Sequence, residues 1–301
     1  MMAPMRAGTG PMDATTALTE AAARSDGAAR QAGVAIRELD TMAGATRAAE
    51  LFCEVWQGGE VMPVPANMLR TVQHAGGYVF GAFDERGRLV GATMAFLAAQ
   101  GLHSHITGVL ASTQRGGVGL ALKLHQRTWA LSHGITAITW TCDPLVRRNV
   151  AFNLHALGAS VTDYLIDHYG QMPDGVNAGD ESDRLELRWD LLGPVDPPPR
   201  PEPGDRPRAV ATDHARRPVL ADVTGPARLV ALPADIEILR QEDPAAAAAW
   251  RHAVREAIEP ALAAGASVIG LTQDGDLVVD VPTGPIDRGR TAPSGARAAE
   301  R

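Results

Sequence analysis

The chain is poor in cysteine, in aromatic residues and in positive charge, and each shortage removes a class of function. Its 301 residues include two cysteines, Cys53 and Cys142, both inside apolar segments and without metal-ligand spacing. That excludes a disulfide scaffold and a cysteine zinc site, and no metal is expected. Basic residues number 28 against 35 acidic ones, a formal charge of −7. A general nucleic-acid binder would present a basic face to neutralise several phosphates, so no nucleic-acid partner is expected. No run approaches the roughly 20 apolar residues that span a bilayer, and the N-terminal segment has acidic breaks at Asp13, Glu20 and Asp26 where a signal peptide has an apolar stretch. The expectation is a cytoplasmic protein with no membrane partner. Aromatics are 4% of the chain, but hydrophobic residues at 45% and charged residues at 21% allow a sizeable core.

Residues 1–33 lack periodicity and read as a disordered leader. Val34–Arg37 reads as a strand. Asp40-Thr41 offers a cap for a helix carrying Ala48, Leu51, Phe52, Val55 and Trp56, stopped by Gly58-Gly59. A second helix follows Pro65. Tyr78–Phe83 and Leu89–Phe96 are apolar runs around the polar turn Asp84–Arg88, a hairpin. His103–Leu110 is strand-like and leads into a glycine loop, and from Val118 the pattern is helical until His133-Gly134. Ile135–Cys142 reads as a buried strand, Arg148–Leu157 as a helix, Val161–Tyr169 and Leu185–Leu191 as strands. Residues 192–209 are a Pro-rich linker. The region 210–283 contains a helix through Trp250, Val254 and Ile258 and a hairpin candidate around Gln273–Asp276, and 284–301 reads as a disordered tail.

Gln114-Arg115-Gly116-Gly117-Val118-Gly119-Leu120 lies between a strand and a helix. Its backbone N–H groups can converge on an anion at the helix N-terminus, and glycine lets the anion approach. A nucleoside-triphosphate loop would continue Gly-Lys-Ser/Thr, but Leu120-Ala121 follows Gly119. A dinucleotide fingerprint would need a small residue where Leu122 stands. A diphosphate is the natural guest.

Gln114-x-x-Gly117-x-Gly119 resembles the Gln/Arg-x-x-Gly-x-Gly/Ala signature of the GNAT (Gcn5-related N-acetyltransferase) superfamily, and the order of strands and helices over about residues 34–191 is similar to it. Leu102–Leu110 and Ile138–Pro144 through Asn149 and Asn153 resemble a "predicted acetyltransferase" branch whose architecture includes a C-terminal region, so 210–283 is expected to complete the fold. The resemblance implies an α/β (α+β) GNAT fold, a mixed twisted central sheet flanked by helices. It implies an acyltransferase that moves an acetyl, succinyl or other acyl group from acyl-CoA, its co-substrate, to a small-molecule amine by direct attack.

By the same resemblance, backbone groups of Thr107, Gly108, Val109 and Leu110 would meet pantetheine. Gln114, Arg115, Gly116, Gly117, Val118, Gly119 and Leu120 would hold the pyrophosphate, with Asn149 and Asn153 as further coenzyme A contacts. The Val109 N–H would face the thioester oxygen, where one donor is worth on the order of 3 kcal/mol. Arg115, Lys123 and Arg127 are candidates for outer phosphate contacts. His105, on the face of its strand that also carries His103, Thr107 and Val109, is the candidate base. The tyrosine that many GNAT enzymes use to protonate the departing thiolate falls at Leu154, leaving Tyr164 or Tyr169 as substitutes. A non-catalytic acyl-CoA sensor is the competing reading. The acceptor pocket is assigned to Gln57–Asn67, and oligomeric state is open, a homodimer among the options.

Overall fold

The computed structural model describes residues 13–57, 62–172, 175, 179–194, 196 and 198–280, with only the backbone of Gln114 and Arg115. The proposed helix stop at Gly58-Gly59 and the tail 284–301 lie outside these residues.

The described residues begin with a helix, inside the segment 1–33 that was expected to be a disordered leader. α1 (Ala14–Gln31) is capped by Asp13, whose side chain accepts from the N–H groups of Thr15 and Thr16. Its buried face is Ala17, Ala21 and Ser25, a stripe at i, i+4 and i+8 that permits close packing on α4 (Val118–Ser132). Such small side chains make the apolar stripe faint in sequence. Glu20 of α1 meets Arg127 of α4 at 2.5 Å.

A seven-stranded sheet follows from β1 (Val34–Glu38), β2 (Tyr78–Asp84), β3 (Leu89–Ala98), β4 (Gly101–Val109), β5 (Ala137–Cys142), β6 (Ser160–Leu165) and β7 (Arg184–Asp190), in the order β1-β2-β3-β4-β5-β7-β6. In this sheet only β4 and β5 pair in parallel, joined by the crossover through α4. α2 (Met42–Trp56), capped by Thr41, and α3 (Ala66–His74) cover one face. On the other lie α1, α4 and α5 (Arg147–Ala151), which runs on into a π-turn over Phe152–Ala156. The strand expected at Val161–Tyr169 ends at Leu165.

The C-terminal region completes this core. β8 (Arg208–Thr212), β9 (Pro218–Leu220), β10 (Arg228–Val230), β11 (Ser267–Leu271) and β12 (Leu277–Asp280) form a second sheet in the order β11-β12-β10-β8-β9, with α6 (Ile236–Glu242) and α7 (Pro244–Ala263). One continuous apolar cluster contains Leu102, Trp140 and Leu187 of the first sheet together with Trp250, Val254 and Val268. The Pro-rich segment is held along the second sheet: Arg206 pairs with Asp280 at 2.5 Å and Arg200 donates to the Thr272 carbonyl.

The seam between the sheets is ionic and buried. Asp143, just after β5, accepts from Arg251 at 2.8 and 3.0 Å and from Arg240 at 2.5 Å; Asp180 accepts from the same two arginines. These guanidiniums hold the Asp143 carboxyl well below the usual carboxylate range against the opposing pull of burial.

Candidate active site

β4 and β5 pair only at Leu102↔Ile138 and His103↔Thr139, then part. The cause lies in β4, where Met94 pairs with Ile106 but the next residue, Ala95, pairs with Ser104. His105 is thus the extra residue of a β-bulge, which bends its strand and resets the alternation of faces. Leu102 and Ser104 are buried, Ser104 against α4, while Ile106 and Gly108 lie on the α2 side. The expectation that Thr107 and Val109 share a face with His103 and His105 is corrected: Thr107 bonds Thr93 at 2.8 Å and Val109 packs with Val118, on the α4 side.

At the C-terminal end of β4 a 3₁₀ turn (Ala111–Gly116) delivers the chain to Gly117, the N-cap of α4, with φ +81°. Only glycine adopts that backbone without strain. Gly117 brings no side chain to the first N–H groups of α4, and no described side chain caps them. A Cβ built on Gly116 would meet nothing within 4 Å, and one on Gly119 only Val109 at 3.9 Å. The protein's own packing therefore does not require glycine at either position, and the space over the backbone fits a diphosphate approaching Gly116–Leu120. The side chains of Gln114 and Arg115 lie outside the described residues. The loop also borders a cavity of about 610 Å³, whose far wall includes Gly33, Val34 and Asp84. The Asp84 carboxylate on that wall disfavours phosphate, whereas the amide side of the loop carries no described acidic side chain.

Several expected contacts are redirected. Leu110 donates its N–H to the Val90 carbonyl and its own carbonyl accepts from Thr113, so both backbone groups are engaged within the protein. At Gly108 a Cβ would come within 2.9 Å of Trp56 and 3.0 Å of Phe52, so glycine there serves the packing of α2. Asn153 is buried and accepts from Trp140 Nε1 at 3.3 Å, tying the π-turn to β5, whereas Asn149 is exposed on α5. Arg127 is committed to Glu20 and the Leu191 carbonyl, and Lys123 is buried, so neither is an outer phosphate contact.

Tyr164 is not a usable acid. Its hydroxyl donates to Asp183 at 2.7 Å, Asp183 is paired with Arg255, and burial beside that carboxylate raises the phenol further above its ordinary value. Tyr169 is different: 42% exposed, its hydroxyl is 2.9 Å from Thr141 Oγ1 on β5, just past the point where the strands part. Thr139, two residues earlier on the same face, bonds His103 Nδ1 at 3.1 Å. The ring of Phe96 lies 5.2 Å from His103 and 5.9 Å from His105. Partial burial lowers both histidines from their ordinary value, and in His103 the neighbouring His105, Lys123 and His168 push the same way. Two imidazoles neutral at pH 7 and a phenol thus gather at the mouth of the opening. Of the acceptor segment Gln57–Asn67, residues 58–61 lie outside the described set. Among the described residues no group of three metal-binding side chains exists, and no helix is long and apolar enough to cross a membrane.

No protein-family model matches the chain, and no curated protein does. Solved structures do. The ribosomal-protein-S18-alanine N-acetyltransferase of Escherichia coli is similar at 14% identity, with 54% of this chain and 96% of that one covered and a TM-score of 0.43. A GNAT superfamily phosphinothricin acetyltransferase of Sinorhizobium meliloti, in complex with AcCoA, is similar at 18% identity over 57% of this chain and 95% of that one, with a TM-score of 0.45. For Chaetomium thermophilum Naa20, in complex with a bisubstrate analogue, the figures are 16%, 52%, 86% and 0.42. By its own strand order the chain carries a mixed α/β fold, a seven-stranded sheet with one parallel pair at β4–β5 and a helix start closing the glycine loop, packed with a second sheet.

Proposed function

We propose that this chain is an acyl-CoA-dependent N-acyltransferase whose acceptor is a small-molecule amine. The observation that carries the reading is the opening between β4 and β5, on the strand that leads to a helix start with a glycine N-cap and no side-chain cap. Gly116–Leu120 would hold the pyrophosphate through backbone N–H groups and the α4 dipole. The pantetheine arm would run along β4 past Thr107–Val109, and the thioester supplies the acyl group.

The neutral amine enters on the side of His103, His105 and Phe96. His105, exposed at the bulge and lowered in pKa by partial burial, is held as the base that removes the amine's proton. Tyr169 replaces Tyr164 as the phenol within reach of the opening.

Calorimetric titration of coenzyme A tests the loop. Gly117→Val forces a β-branched residue to φ +81° and is expected to weaken binding at least tenfold. Undiminished affinity would refute the loop as the cofactor site. Turnover, read as thiol release across a panel of amines and acyl-CoA donors, separates the enzyme from a non-catalytic acyl-CoA sensor, which would bind without turning over.

A further inference from the structure

Lys123 is the only lysine in the chain; the other 27 of its 28 basic residues are arginines. It is also interior, 7% exposed. Its Nζ donates to Ser104 Oγ at 2.8 Å and lies 4.3 Å from the centre of the Trp140 ring. Ser104 and Trp140 are the next residues after the last β4–β5 pair, so the amine sits where the two strands begin to separate. It comes from the α4 side of the sheet. Trp140 connects it to the π-turn, because the indole that faces Lys123 donates its N–H to Asn153, the neighbour of Leu154.

No ion pair to Lys123 forms among the described residues; its neighbours are a hydroxyl and an indole, and the titratable group that senses it across the gap is His103, which it repels. One turn along α4, Gln126 is fully buried with neither amide atom bonded. A single lysine is thus kept interior, against a hydroxyl and an indole, in a chain whose other side-chain cations of fixed charge are arginines. Arginine could not cycle a proton there, because its guanidinium does not deprotonate in proteins; a buried lysine does so readily.

We propose that Lys123 is the catalytic acid of this transferase, giving a proton to the thiolate that leaves the acyl group; the inference rests on the acyl-CoA reading above. The carbon–nitrogen bond of the amide forms, the carbon–sulfur bond breaks with its electron pair on sulfur, and one N–H proton of Lys123 passes to that sulfur. The amine's surplus proton leaves through the proposed base, and Lys123 regains a proton from solvent. Lys123 fills from α4 the role that Leu154 on the π-turn has no group to perform. Burial brings the lysine down to about 7, close enough to a thiol at about 8.5 for a proton to pass between them.

A single lysine makes the test direct, since ¹³C-lysine labelling gives one ε-methylene resonance. It is titrated by NMR in the wild-type protein alone, with coenzyme A, and with desulfo-coenzyme A. The expected midpoint is near 7 in the free protein and rises by about one pH unit or more with coenzyme A, a tenfold change in proton affinity, while the sulfur-free analogue produces no rise. By linkage the bound thiol ionises at lower pH than free coenzyme A, and Lys123→Met abolishes that difference in the ultraviolet thiolate absorbance. A midpoint that coenzyme A leaves unmoved overturns the inference and leaves the cofactor site standing; coenzyme A that fails to bind overturns the reading beneath it. If Lys123→Met does not fold, the wild-type lysine titration decides.

Discussion

Replacing Arg251 with methionine should unfold the whole protein more easily. Arg251 is 1% exposed and gives Asp143 two hydrogen bonds, at 2.8 and 3.0 Å, and Asp180 a third at 2.8 Å. Methionine approximates the volume but leaves two buried carboxylates with Arg240 as their one direct ion-pair partner among the described residues. Removing one partner of a buried pair costs about 3–5 kcal/mol, because the charge left behind keeps its desolvation penalty. Against a total stability of about 5–15 kcal/mol that is a large share. At roughly 2–4 °C per kcal/mol for a chain of this size, the melting temperature should fall by about 6–20 °C.

The pH dependence sharpens the test. A carboxyl whose folded pKa lies below its unfolded value contributes stability above the unfolded pKa and loses it as pH falls toward the folded one. Removing Arg251 raises the folded pKa of Asp143, so acid unfolding of the variant should begin at higher pH than in the wild type. Urea and thermal melts followed by circular dichroism and tryptophan fluorescence check both effects. Trp140 and Trp189 report on the first sheet, and Trp250 on α7. Because one apolar cluster spans both sheets, the probes should move together in a single transition. A loss below about 1 kcal/mol, or separate transitions for the two regions, would refute the reasoning that residues 208–280 complete the first sheet's core.

Tyr164→Phe removes the bond to Asp183, which Arg255 and the Asp167 N–H still serve, so a loss of about 1 kcal/mol in denaturant melts is expected with turnover retained. A drop in rate greater than tenfold would restore Tyr164 as an acid. His105→Ala should leave coenzyme A affinity within about twofold by calorimetry and lower kcat roughly 10²-fold, the usual scale of a general base. It should also remove the acid limb of the rate profile, since only the neutral imidazole takes a proton and its pKa lies below the ordinary histidine value. An unchanged profile would exclude His105.

The local codes of this chain were readable in one dimension. The hairpin of β2 and β3, the Thr41 cap, the glycine loop with its strand before and helix after, and the α7 stripe at Trp250, Val254 and Ile258 all follow from periodicity, turn residues and glycine at a positive φ. Helix α1 did not follow, because its contact stripe is alanine and serine and carries little hydrophobic contrast. Nor did the bulge at His105, since an inserted residue leaves no mark on a run of strand formers; it nevertheless decides which side chains face α4 and which face the acceptor side.

The site divides in the same way. The loop proposed to bind phosphate offers backbone amides and an absence of side chains, which a short motif can encode, so the strand, glycine turn and helix start at Gly116–Leu120 were legible in sequence. Proton-transfer groups come from separate elements that only packing brings together. Folding buried Tyr164 against Asp183, brought Tyr169 to Thr141, and turned Lys123 inward onto Ser104 and Trp140 although its spacing on α4 reads as surface. Sequence alone determined the glycine turn and helix start proposed to hold an anion; the tertiary structure decided which side chains stand at the opening between β4 and β5, because that depends on strand register and helix rotation, which no local pattern records.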